Sequence, residues 1–67
     1  MKKLSINISG HLTSLSLEAE FVAELKEIAI KKKKSVAEII REIDASRGNK
    51  TNLSSTVRVW ILKELIK

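Results

Sequence analysis

The 67-residue sequence contains no cysteine, and His11 is its only histidine. The lack of cysteine excludes disulfide bonds and thiolate zinc sites, and one histidine cannot enclose a metal ion without further ligands. We therefore predict neither a metal site nor a cofactor. A domain of this size buries only about 60% of the surface that its unfolded chain exposes, which leaves it marginally stable alone. Oligomerisation is the remaining means of stabilising it.

Sequence patterns typical of enzymes are also missing. The sequence has no cysteine nucleophile and no glycine-rich phosphate loop. His11 has no evident carboxylate partner, because Glu18 and Glu20 are better explained as acidic residues at the start of a helix. The sequence therefore predicts that the protein is not an enzyme.

Long apolar runs are missing as well. No segment approaches the roughly 20 apolar residues that a membrane span needs. Ser5, Asn7 and Ser9 interrupt the stretch in which a signal peptide would have its apolar core. We expect a cytoplasmic protein, and the lack of cysteine agrees with a reducing compartment.

Positive charge is what the sequence has in excess. Thirteen lysines and arginines stand against eight acidic residues, which gives a net charge of +5. Such a balance favours polyanionic partners, either nucleic acid or an anionic membrane surface. A basic amphipathic helix over residues 19–34 would suit a membrane surface, but its apolar stripe is needed for the core. We therefore expect a nucleic-acid partner and no membrane association.

Residues 12–17, with the sequence Leu-Thr-Ser-Leu-Ser-Leu, have the alternation of a short strand. Thr13, Leu15 and Leu17 fall on one face. The other face carries Leu12, Ser14 and Ser16. A single short strand cannot pair or cover itself, so we predict that two copies of the chain pair their strands around a two-fold axis.

Residues 1–11 form either an N-terminal arm or an extra strand. Leu4, Ile6 and Ile8 alternate with polar residues, and the phase of the alternation changes near Gly10. A hairpin with Gly10 and His11 in a type II′ turn explains the change, and so does a bulge at Gly10 in one long strand. The hairpin is slightly favoured by its register, which puts all the large apolar residues except Leu12 on one face. It sets these pairs opposite each other: Ile8 and Thr13, Ile6 and Leu15, Leu4 and Leu17.

Three helices are predicted after the strand, over residues 19–33, 35–46 and 53–66. The apolar stripe of the first consists of Phe21, Leu25, Ile28 and Ala29. That of the second consists of Val36, Ile39, Ile40 and Ile43. Ser35 and Glu38 match a capping box at the start of the second helix.

The third helix is apolar over most of its circumference, so we expect it to be largely buried, with Trp60 as a core or dimer anchor. Asn52 or Ser54 is expected to cap its start. The loop before it extends over residues 46–52, and Gly48 is expected to stop the preceding helix.

A strand, a helix and a serine-capped helix in this order resemble the ribbon-helix-helix family, whose members read DNA with a β-ribbon. Within the family, the sequence more closely resembles a bacterial subgroup with an added C-terminal helix. The stretches that carry it are Gly10 to Glu18 with Phe21, then Ile39 to Asp44, and finally Asn52 to Ser55 with Arg58 and Val59.

The resemblance implies a mostly α fold with a short N-terminal β-ribbon, in one domain over residues 1–67 that forms an intertwined homodimer. It also implies site residues. Those that would face the bases are Leu12, Ser14 and Ser16. Those that would hold a phosphate are Lys34, Ser35 and Val36. Accessory contacts would come from Lys2, Lys3, His11 and Lys33. The dimer core would include Thr13, Leu15, Leu17, Ile39, Ile43 and Trp60.

By this resemblance the protein is a homodimeric DNA-binding protein, either a transcriptional regulator or an antitoxin-like operator binder, which inserts a two-stranded ribbon into the major groove. Two departures support an alternative. Related sequences often have arginine where Leu12 stands, and a hairpin in each copy would give four strands. Such a sheet spans about 15 Å, whereas the groove is roughly 12 Å wide. The alternative is a dimeric protein–protein adaptor that has lost DNA reading.

Overall fold

A computed structural model describes residues 1–46 and 52–67. Two strands come first, β1 over Lys2–Ile8 and β2 over His11–Leu17. Three helices follow, α1 over Ala19–Lys32, α2 over Val36–Ser46 and α3 over Leu53–Leu65. The structure therefore has the predicted order of a β-ribbon and then helices. The expected helix stop at Gly48 lies outside the described residues.

The two strands form an antiparallel hairpin within one chain. Its turn consists of Ser9 and Gly10, which both have positive φ angles of 51° and 82°. Positive φ at both central residues is the mark of a type I′ turn, whose twist matches that of the flanking strands. The backbone N–H of Gly10 also donates to Oδ1 of Asn7 at 3.1 Å. The turn thus has two local causes, a backbone preference and a side-chain cap.

This arrangement corrects the hairpin that we predicted from the sequence. The turn lies at Ser9–Gly10 and not at Gly10–His11, so each residue of β1 pairs two positions away from its predicted partner. The observed pairs include Ile8 with His11, Ile6 with Thr13, and Leu4 with Leu15. Because side chains alternate with a period of two, a shift of two residues leaves every side chain on its predicted face.

The predicted pairing of β2 with its copy in a second subunit stays a prediction, because the structure describes one chain. Here β1 pairs with β2 along its whole length. The hairpin lays its apolar face on the helices, where Ile6, Leu15 and Leu17 are buried. A single chain thereby covers the apolar side of its own ribbon, and the second edge of β2 has no strand partner within the described residues.

One hydrophobic cluster joins the hairpin to all three helices. Val22, and not the neighbouring Phe21, is buried from the first turns of α1, while Phe21 packs half-buried at the margin. The other helical members are Leu25, Ile28, Ala29, Ile39, Ile40, Ile43, Leu53, Val57 and Ile61.

The helix ends follow from short-range hydrogen bonds. Lys33 has φ 57°, in the left-handed region usually occupied by glycine at a helix C-terminus. Its N–H and that of Lys34 donate to carbonyls of the last turn of α1. Asn52 accepts from the N–H groups of Ser54 and Ser55 at 2.9 and 3.3 Å, which starts α3 as predicted.

The expectation that α3 is largely buried is wrong for one side of the helix. Leu53, Val57 and Ile61 face the core, but the outer side exposes Val59 and Leu62, together with Ile66, the residue that caps the helix. These three residues follow each other at spacings of three and four, so they form one continuous stripe. We call it the α3 outer stripe. None of the helices in the described parts of the chain has the length and apolar character to span a bilayer.

Candidate nucleic-acid interface

The hairpin turns a polar face away from the helices. Residues directly opposite each other in an antiparallel pair share a face. The outward pairs are Asn7 with Leu12, Ser5 with Ser14, and Lys3 with Ser16. All six side chains are exposed, and Leu12 has the largest apolar exposure among them at 74%. We call this surface the ribbon face.

The ribbon face contains the three predicted base-facing residues and three more from β1. Ser5 and Asn7 were not predicted as site residues, although their alternation with Leu4, Ile6 and Ile8 marks them as outward once a hairpin is assumed. Lys3 was predicted only as an accessory contact. β1 therefore doubles the number of residues on the ribbon face from three to six.

The register separates two adjacent lysines. Lys3 lies opposite Ser16 on the ribbon face, whereas Lys2 lies opposite the buried Leu17 on the side of the helices. Both side chains are exposed at the end of the strand. His11 lies at the turn end opposite Ile8 and is also exposed. Of these predicted accessory residues, only Lys3 belongs to the ribbon face.

Two arginines from the helices form hydrogen bonds with backbone carbonyls at the two edges of the hairpin. Nε of Arg41 donates to the carbonyl of Asn7 at 2.8 Å, which ties β1 to α2. On the other edge, Nε of Arg58 donates to Glu18 at 2.8 Å and its Nη2 lies 3.5 Å from the carbonyl of Ser16. In an antiparallel ladder, alternate residues turn their backbone groups away from the partner strand. The carbonyls of Asn7 and Ser16 are contacted from the edges of the hairpin. In both strands, therefore, the backbone groups of the ribbon-face residues point away from the partner strand.

The start of α2 is where a phosphate is predicted to bind. Ser35 and Glu38 form the predicted capping box: the N–H of Ser35 donates to Oε1 of Glu38 at 3.2 Å, and the N–H of Glu38 donates to Oγ of Ser35 at 3.1 Å. The N–H groups of Val36 and Ala37 have no intrahelical acceptor, because they lie in the first turn. A helix N-terminus with such groups favours an anion.

The lysines before α2 are not equally available. Nζ of Lys34 contacts both carboxylate oxygens of Glu42, at 2.9 and 2.7 Å. Exposed ion pairs of this kind contribute only about 0–1 kcal/mol, so a phosphate could displace Glu42 at little cost. Lys33 is exposed and has no ion pair among the described residues.

The residues predicted for a dimer core have different environments. Four of them are covered within a single chain, namely Leu15, Leu17, Ile39 and Ile43. Thr13 and Trp60 are half-buried. The ring of Trp60 lies beneath Nζ of Lys32, 6.0 Å from the ring centre, and Lys32 in turn forms an ion pair with Glu64 at 3.0 Å.

Several acidic side chains of the described residues form ion pairs. Within residues 1–46 and 52–67, no three histidine, aspartate or glutamate side chains are grouped closely enough to hold a metal ion. The hydrogen bond from Arg58 lowers the pKa of Glu18. Those from Lys67 and Lys32 lower the pKa of Glu64. Both shifts favour ionised carboxylates in structural ion pairs.

A β-ribbon with a polar outer face, followed by helices of which the second begins with a capping box, is the arrangement expected of a small ribbon-containing DNA-binding domain. A comparison with protein families agrees, since the ribbon-helix-helix domain matches residues 1–65. The chain therefore belongs to the ribbon-helix-helix family. Domains of this family are DNA-binding regulators in general, typically without enzymatic activity, and are usually dimeric. No curated protein and no solved structure matches the chain.

Proposed function

We propose that the protein is a homodimeric DNA-binding protein, acting in the bacterial cytoplasm as a transcriptional regulator or an antitoxin-like operator binder. The observation that carries the proposal is the ribbon face, an exposed polar surface that lies on the only strands of the described chain. The family and the net charge of +5 support the same conclusion.

The second edge of β2 supports a dimer. Its backbone groups at Leu12 and Ser14 have no strand partner within the described residues. An open strand edge is a template for pairing with another chain, and a two-fold axis beside Ser14 would pair β2 with its own copy in antiparallel orientation. The dimer would then have a sheet of four strands with the two β2 strands at its centre.

In this arrangement the central strands lie over the bases. Ser14 and Ser16 offer hydroxyl groups that can donate to or accept from base edges, and Leu12 offers an apolar contact for the methyl group of thymine. The start of each α2, with Ser35, Val36 and the preceding lysines, would hold a phosphate on either side. Phosphate contacts fix the position of the protein, while base contacts select the sequence.

The salt dependence of binding tests the proposal. Neutralising a phosphate releases condensed counterions, so affinity should fall steeply between about 50 and 200 mM salt. Lys34→Ala should lower the slope by roughly 1 per chain. Lys26→Ala removes the same charge from an exposed position of α1 and serves as the matched control. Binding that is unchanged over this salt range would contradict a DNA-binding function.

The α3 outer stripe favours a second candidate function, the dimeric adaptor. Contiguous exposed apolar surface often marks a protein–protein contact, and Leu62 lies at the centre of the stripe with 49% of its surface exposed. If the adaptor function is right, Leu62→Glu should abolish co-purification of a partner protein without changing the fold. Nanomolar binding to one DNA site selected from a random pool would remove this candidate.

A further inference from the structure

The four-stranded sheet of the proposed dimer is wider than the major groove, and β1 is its outer strand on each side. Three intervals of about 4.8 Å put the outer strands of the proposed dimer about 15 Å apart, and the major groove is roughly 12 Å wide. The outer strands must either leave the sheet or stay above the groove walls. Which of these happens depends on how firmly β1 is held.

The contacts of β1 indicate that it remains paired with β2. Ile6 is part of the hydrophobic core, with 8% of its surface exposed. Arg41 binds the carbonyl of Asn7 at the turn end of the strand. Removing β1 would expose the apolar side chain of Ile6 to water and break the ladder with β2, and both changes are unfavourable. We therefore expect the strand to remain paired when the sheet meets DNA.

The outward side chains of β1 are all suited to phosphate. Lys3 carries a cation, and Ser5 offers a hydroxyl donor. Asn7 is fixed in orientation, because its Oδ1 accepts from the N–H of Gly10 at 3.1 Å and its NH2 group is left to donate. Lysine, serine and asparagine are the side-chain types that commonly bind phosphate oxygens. β2, in contrast, contributes the apolar Leu12 to the same face.

We propose that β1 is a phosphate-binding strand, which lies over one wall of the major groove and contacts the DNA backbone through Lys3, Ser5 and Asn7. This inference rests on the proposed dimeric DNA-binding function. The two-fold axis puts one β1 over each wall, because the outer strands are slightly farther apart than the groove is wide. The sheet then needs no rearrangement, since its central strands face the bases and its outer strands face the phosphates.

Adjacent lysines provide a matched test. Lys3→Ala removes a charge from the ribbon face, while Lys2→Ala removes the same charge from the opposite side of the same strand. Binding is measured from about 50 to 200 mM salt, on a duplex selected from a random pool and on a random-sequence duplex. With a slope of about −0.9 per phosphate contact, Lys3→Ala should lower the slope by about 2 per dimer, to the same extent on both duplexes. Lys2→Ala should lower the slope by less than half as much. Lys3→Arg should have the slope of the wild-type protein.

Asn7→Asp tests the strand independently of lysine. The aspartate keeps an oxygen acceptor for the N–H of Gly10, so the turn should be preserved, but it replaces the NH2 donor by a negative charge. We expect at least a several-fold loss of affinity on both duplexes, with an unchanged melting temperature.

Three results would overturn the inference. Equal slopes for Lys2→Ala and Lys3→Ala would remove the phosphate contact from β1. Loss of selectivity in Lys3→Ala with an unchanged slope would put Lys3 on the bases. If either of these two results is found while the wild-type protein binds DNA, only the role of β1 fails. If the wild-type protein does not bind DNA, the proposed function fails and the inference fails with it.

Discussion

Arg41 on α2 and Asn7 on β1 are 34 residues apart in the sequence, yet Nε of the arginine donates to the carbonyl of the asparagine at 2.8 Å. This hydrogen bond joins the turn end of the hairpin to the helix whose start is the proposed phosphate site. Arg41 follows Val36 by five residues, so the two sites are about 7.5 Å apart along the helix axis. The bond therefore helps to set the position of the ribbon face relative to the start of α2.

Removing this bond should loosen the hairpin before the rest of the chain. We expect Arg41→Ala to lower the free energy of unfolding by about 1 kcal/mol, since a hydrogen bond to a charged group contributes about 1.5–3 kcal/mol and this one is exposed to solvent. Amide hydrogen exchange should accelerate most at Leu4 and Ile6. Arg41→Lys keeps the charge but not the guanidinium geometry, so it should recover only part of the protection. Equal acceleration in β1 and in α3 would contradict a local role for Arg41.

The hairpin shows what the sequence could and could not predict. Alternation of Leu15 and Leu17 with serines is a local pattern, and it correctly identified the ribbon faces. The same pattern fits any register that differs by two residues, because every side chain then keeps its face. The register was decided by the positive φ of Ser9 and by the bond between Asn7 and Gly10. Neither effect is part of an alternation of apolar residues.

The partner of β2 was equally undetermined by pattern. Pairing with β1 on one edge and pairing with a second copy on the other both lay the same apolar face on the helices, so burial alone does not show which edges are paired. The helices show a related ambiguity. The third helix has apolar residues on two sides, and only the packing of the other elements determines that Ile61 is buried and Leu62 exposed. The capping box of Ser35 and Glu38, in contrast, depends on four consecutive residues and was predicted correctly.

The capping box leads to a prediction that links stability with DNA binding. Ser35→Ala should destabilise the protein by about 1 kcal/mol, because it leaves the N–H of Glu38 without its acceptor. Glu38→Gln should keep the reciprocal bond, since glutamine also serves in a capping box. It also removes a carboxylate from the proposed phosphate site, so we expect tighter DNA binding with a nearly unchanged melting temperature. Weaker binding by Glu38→Gln would contradict the assignment of a phosphate to the start of α2.

The ion pair between Arg58 and Glu18 predicts a dependence of stability on pH. The hydrogen bond from Arg58 holds the pKa of Glu18 below its ordinary value of 4.5 in the folded chain. A carboxylate with a lowered folded pKa contributes stability that is fully present above the unfolded pKa and is lost as the pH falls through the folded pKa. Glu18→Gln should therefore melt at a lower temperature than the wild-type protein at pH 7.

The difference between the two melting temperatures should shrink as the pH falls below about 4.5, the ordinary pKa of the group. Circular dichroism melts between about pH 3 and 7 can measure it. Glu20→Gln is the control, because this nearby carboxylate has no ion pair within the described residues. A constant difference across the whole range would show that Glu18 stabilises the fold by some means other than its charge.

Two neighbouring residues of α3 should differ strongly in how much their truncation destabilises the chain. Ile61 is fully buried, with 0% of its surface exposed, whereas 49% of Leu62 is exposed. Ile61→Ala should destabilise the chain by about 2–5 kcal/mol, because it removes buried methyl groups and leaves a cavity. Leu62→Ala should change the free energy of unfolding by no more than about 0.5 kcal/mol, as expected for an exposed position.

Denaturant unfolding of the two variants, at several protein concentrations, separates a monomer core from an interface. If the α3 outer stripe contacts a second copy, Leu62→Ala should cost more as the protein concentration rises, because association stabilises only the folded chain. A small and concentration-independent effect would leave the edge of β2 as the favoured dimer contact. A large effect of Leu62→Ala even in dilute solution would contradict the exposed position of its side chain, since only a buried residue loses that much on truncation.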